Sequence, residues 1–185
     1  MAVTAVAAVT VAVAMVVEAE TDMAARWIRH LFCDQATARR AFPREALQAI
    51  EQATAAGEAR HSGQLRLVVE ANLPLARVWR GVEARQRAVE LFGELGIWDT
   101  EANNGVLIYL LLADRQVEIL ADRGIHARVG EVAWQVICGH MERAFRQGDF
   151  RAGALQGINA ISELLERHFP AQGGLNELPD RPLVL

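Results

Sequence analysis

Two clusters of polar residues flank one apolar hairpin pattern. Asp99, Thr100, Glu101, Asn103 and Asn104 precede the run Gly105-Val106-Leu107-Ile108-Tyr109-Leu110-Leu111-Leu112, while Asp122, Arg123 and His126 follow Val117-Glu118-Ile119-Leu120. If the chain reverses at Asp114-Arg115, both clusters meet at the open end of the hairpin. Carboxylates and side-chain amides on loops suit a hard divalent cation such as calcium, which takes oxygen ligands. The candidate ligands are Asp99, Asn103, Asn104 and Asp122. Arg123 beside His126 offers a second chemistry, in which arginine fixes phosphoryl oxygens and histidine moves a proton. That reading makes Asp122, Arg123 and His126 the candidate catalytic residues. The same residues also have a local explanation, because Asn-Asn-Gly tolerates positive φ and Asp or Thr satisfies loop amides. No spacing here matches an EF-hand loop.

The elements around these residues follow from periodicity. Leu65, Leu67 and Val69 alternate with Arg66, Val68 and Glu70, which predicts a first strand. Positions 106 to 113 are apolar throughout, as in a central strand covered on both faces. Residues 117 to 122 alternate and form the third strand. A two-residue loop at Asp114-Arg115 gives a register that places Gly105 near Gly124, Leu107 near Asp122 and Asn103 near His126. Helical stripes run through Trp27, Ile28 and Leu31, through Leu47 and Ile50 after Pro43, and over 76 to 95 up to Gly96. Two more pass through Trp134, Ile137, Cys138, Met141 and Phe145 and, after an Asp149 N-cap, Ala154, Ile158, Ile161 and Leu165. This order predicts an α/β fold: a small mixed β-sheet, β1-α-β2 parallel and β2-β3 an antiparallel hairpin, sandwiched by helices. Core packing is the default expectation for Trp27, Trp79, Trp98 and Trp134. Gly153 and Gly157 are read as a close helix contact.

Bulk features narrow the function. The formal charge of -4 supplies no basic field for nucleic acid, and all 19 basic residues are arginine. With no lysine, Schiff-base and Walker-type chemistry are excluded. Cys33 and Cys138 have no metal or redox spacing. Ser-centred nucleophile elbows, P-loops and Rossmann glycine patterns are absent.

Residues 1–22 form an apolar extension, uncharged from Ala2 to Val17. It lacks a basic n-region and falls short of the roughly 20 residues of a membrane span. One reading starts translation at Met23 and makes the protein cytoplasmic. A second makes the extension a marginal signal-anchor, with Arg26, Arg29, Arg39 and Arg40 holding the domain at the inner membrane on its cytoplasmic side, and a third makes it a cleaved signal. Residues 23–169 are expected to be one domain and 170–185 a flexible tail.

Asn104-Gly105-Val106-Leu107, the Asp114-Arg115 turn and Ile119, set in this order of elements, resemble the TPM-domain family over roughly residues 40 to 169. The family includes a thylakoid-lumen acid phosphatase, a photosystem II repair protein and an auxiliary subunit of acetylcholine receptors. Asn103, Asp122, Arg123, Ile125 and His126 depart from its pattern, while Gly124 keeps to it. The resemblance implies a non-catalytic adaptor that binds a protein partner near the inner membrane, with calcium or another divalent cation as its cofactor. Its alternative is a weak metal-dependent acid phosphatase. Membrane contact is expected only through the N-terminal extension.

Overall fold

The computed structural model describes residues 23–171 and 176–185, so the expectations for the N-terminal extension lie outside the described residues. Helix α1 includes 23–32. It is followed by α2 (Gln35–Ala41), α3 (Arg44–Glu58), β1 (Gln64–Glu70), α4 (Leu75–Trp79), α5 (Ala84–Glu94), β2 (Gly105–Leu111), β3 (Gln116–Ala121), α6 (Arg123–Val129), α7 (Glu131–Arg146), α8 (Phe150–His168) and β4 (Leu183–Val184). The predicted α/β sandwich is what forms: a four-stranded mixed sheet of order β3-β2-β1-β4, with β1 parallel to β2 and β4, and β2 antiparallel to β3.

This order explains the burial of each strand. β2 lies inside the sheet with helices on both faces, so every residue of Gly105–Leu111 is buried. Edge strand β3 alternates as its sequence predicts, with Val117 and Ile119 inward. One face packs Leu65, Leu67, Val69, Val106, Ile108 and Leu110 against α2, α3, α7 and α8. The other packs Val68, Leu107, Tyr109 and Leu111 against α4 and α5. A Cβ on Gly157 would lie 2.2 Å from Met141 Sδ, and one on Gly153 would lie 2.8 Å from Ala144 Cβ, so these glycines set the α7–α8 contact.

Four expectations are corrected. The long helix over 76 to 95 is divided into α4 and α5 because Gly81, at φ 70°, turns the chain between them. The hairpin register pairs Val106 with Ala121 and Leu111 with Gln116, two positions from the expected one, because the turn uses four residues, Leu112 to Arg115. An even shift preserves which side chains share a face, so the inward set is unchanged. The tail returns to the sheet as β4, where Leu183 and Val184 pair with Val68 and Val69 and Leu178 is buried. Among the tryptophans only Trp134 is buried; Trp27, Trp79 and Trp98 are exposed.

Candidate functional site

The expected site at the open end of the hairpin is a set of turn and cap interactions. Asn103 sits at φ 51°, and its Oδ1 accepts from Arg123 Nε at 3.2 Å and a terminal nitrogen of the same guanidinium at 3.0 Å. Asn104 is buried, donates its backbone N–H to Thr100 Oγ1 at 3.0 Å, and donates Nδ2 to the Ser62 carbonyl. Asp122 N-caps α6, with Oδ1 accepting from the Arg123 N–H at 2.6 Å. The flanking glycines permit close approach: a Cβ on Gly105 would lie 2.0 Å from the Ile97 carbonyl oxygen, and one on Gly124 would lie 2.6 Å from that of Asn103. Asp99 and His126 are exposed.

Asn104 Oδ1 and Asp122 Oδ2 are buried without a hydrogen-bond partner, whereas Asn103 Oδ1 is taken. A guanidinium occupies the oxygen of Asn103, and among the described residues no three His, Cys, Asp or Glu side chains are grouped as metal ligands. Two residues beside this end were not singled out by sequence. Glu58 is pushed up to about 8 by burial and by the Asp180 carboxylate, against the Leu65 N–H that it accepts at 2.6 Å. His61 is buried, and desolvation lowers its pKa. Neither lies in a periodic motif, so only the fold reveals their burial.

A large cavity lies at the opposite, closed end of the hairpin. It is a cleft of about 1270 Å³ between α1, α2, the 112–115 turn and the α7–α8 junction. Arg29, Arg40, Arg115, Arg146 and Arg151 line it, against Glu45, Asp114 and Asp149. These arginines come from separate stretches of the chain, which is why no sequence motif joins them. Arg115 occupies the left-handed region at φ 53°, where a glycine would be at ease. An arginine held there is a local strain that the surrounding structure maintains.

Asp114 organises the cleft floor. Its side chain is 5% exposed, and Oδ2 receives Arg26 Nε at 2.9 Å and His30 Nε2 at 3.1 Å. Burial raises its pKa, but the His30 and Arg26 hydrogen bonds outweigh it and hold the carboxyl below the usual range. His30 is fully buried, and the Leu73 N–H donates to its Nδ1 at 2.9 Å. That bond makes Nδ1 the acceptor and places the ring proton on Nε2, facing Asp114. His30 is therefore a clamp joining α1 to two loops, with both ring nitrogens engaged. Cys33, also on this wall, has its thiol pushed up by burial and by the Asp34 carboxylate, away from thiolate chemistry.

A three-layer α/β sandwich with a hairpin beside its parallel pair defines the class of protein. Within that class the match is specific: the TPM-domain family model covers residues 37–164, and the chain belongs to that family. Among solved structures, the chain is similar to BA42 from the psychrophilic bacterium Bizionia argentinensis, with 28% identity, a TM-score of 0.67, and coverage of 76% of this chain and 93% of that one. It also shares its fold with the N-terminal domain of a protein from P. gingivalis at 18% identity and a TM-score of 0.56, covering 68% of this chain and 77% of that one. No curated protein matches the chain.

Proposed function

We propose that this TPM domain is a non-catalytic adaptor that works beside the inner membrane and holds an oxyanion of its partner in the arginine-lined cleft. The observation that carries this reading is the convergence of four arginines on the cleft beside the strained Arg115, of which Arg29 also pairs with Asp114 and Arg146 with Glu142. Guanidinium groups bind phosphate and carboxylate oxygens in paired hydrogen bonds, so such a convergence favours an anion. At the cleft wall both His30 ring nitrogens are already engaged, and burial pushes the Cys33 thiol up, away from thiolate.

Titration with inorganic phosphate, followed through the arginine Nε–Hε NMR signals, tests the reading. Saturable shifts are expected at the cleft arginines, weakened at least about tenfold by Arg40→Gln with Arg151→Gln. Unmoved signals at millimolar phosphate would remove the anion from the reading. The matching family model is named for a TPM phosphatase, which supports the acid-phosphatase alternative. Release of nitrophenol from its phosphate ester at acid pH, dependent on added divalent cation and lost in Arg115→Ala, would establish that alternative instead.

A further inference from the structure

Helix α1 is mounted inside out. At roughly 100° per residue, Arg26, His30 and Cys33 fall on one half of the helix and Trp27, Ile28, Leu31 and Phe32 on the other. The polar half faces the domain: Arg26 binds Asp114 and donates to the Val82 carbonyl at 2.7 Å, and the His30 carbonyl accepts from Asn72 Nδ2 at 2.7 Å. The apolar half faces outward, with Phe32 75% and Ile28 54% exposed. Soluble monomers normally bury such a stripe, and a contiguous exposed apolar patch marks an interaction surface.

Two observations identify the occupant. Phe32 and Arg29 of α1 line the cleft that also carries Arg40, Arg115, Arg146 and Arg151, so the apolar stripe and the arginine cluster border one another. An apolar face with Trp and Phe beside arginines is the composition of an interfacial helix on anionic lipid.

We propose that the outer face of α1 docks on an anionic lipid bilayer, with Trp27, Ile28, Leu31 and Phe32 entering the interface and the cleft arginines contacting headgroup phosphates. This inference rests on the anion reading of the cleft and names the source of the anion. Such docking weakens with added salt through its arginines and keeps an apolar remainder.

The test is flotation of the full chain with phosphatidylcholine vesicles, with and without phosphatidylglycerol, beside a variant carrying Ile28→Glu, Leu31→Glu and Phe32→Glu. These side chains are exposed, so the variant should fold, and its circular dichroism melt checks this. Expected are binding to the phosphatidylglycerol vesicles and a loss of at least about tenfold in the variant. Equal flotation of variant and native chain would overturn the proposal and move membrane attachment to another segment. No flotation of the native chain would also overturn it, as would a dimer that the three substitutions dissolve, since a second copy would then cover the face. Inorganic phosphate titrated into an Ile28→Glu, Leu31→Glu variant, whose substituted residues do not line the cleft, separates the two readings. Retained phosphate binding with lost flotation supports both, whereas α1-dependent flotation with no phosphate binding in the native chain leaves docking standing on its apolar half and removes the anion reading.

Discussion

The two ends of the β2–β3 hairpin are both polar, and they differ in what their polar groups have left to offer. At the open end Asn103 Oδ1, Asn104 Nδ2 and Asp122 Oδ1 bind a guanidinium and nearby backbone groups, leaving Asn104 Oδ1 and Asp122 Oδ2 buried without a partner. At the closed end Asp114 anchors α1 from beneath while five arginines line an open cleft, Arg29 paired with Asp114 and Arg146 with Glu142. The lesson is that a polar cluster in sequence marks a place where the chain needs hydrogen bonds. A site needs polar groups that remain directed at open space.

The comparison can be broken most severely through Gly105. Gly105→Ala drives a Cβ into the Ile97 carbonyl and is expected to cost about 3 kcal/mol or more, read from the urea midpoint. A near-neutral result would show that the open end is not rigidly packed. Asp114→Ala comes next. It removes the acceptor of Arg26 and His30 and is expected to cost about 2 kcal/mol and loosen α1, visible as faster amide exchange in 26–33. Unchanged exchange there would mean that α1 is held by other contacts.

The two ends should also respond oppositely to pH. The lowered Asp114 pKa contributes stability that is complete above the unfolded carboxylate range and is lost as pH falls through its depressed folded value. Glu58, raised from 4.5 to about 8, contributes stability that is present at low pH and lost as pH rises through about 8. Glu58→Gln keeps an acceptor for the Leu65 N–H and should therefore flatten the fall in melting temperature between about pH 4.5 and 8. An unaltered profile across that window would assign the loss to another group.

Smaller effects sharpen the contrast. Arg115→Gly relieves the left-handed strain and should stabilise the fold by about 1 kcal/mol while weakening phosphate binding, a trade visible only if the arginine serves the cleft. Asp122→Asn leaves an acceptor for the α6 N-terminus and should change stability by less than about 0.5 kcal/mol. Calorimetry of calcium into the full chain is expected to find no saturable site, and one that vanished with Asp122→Asn would return function to the open end.

Local pattern alone determined much of this protein. The all-apolar run at 106 to 112 specified a strand covered on both faces, the alternation after Gln116 specified its edge partner, and stripes at 3- and 4-residue spacing specified α7 and α8. These are short-range signals, because side-chain direction repeats every two residues in a strand and every 3.6 in a helix. The motif Asn104-Gly105-Val106-Leu107 also identified the family. The register shift by two escaped detection because neither parity nor turn composition distinguishes a two-residue from a four-residue turn. Only tertiary structure decided that Leu183–Val184 closes the sheet, that His30 is buried under Asp114, and that Arg29, Arg40, Arg115, Arg146 and Arg151 share a cleft. It also decided that α1 faces outward. An amphipathic sequence states that one half of a helix is apolar, whereas the direction of that half depends on whether its polar half finds a buried partner, here Asp114.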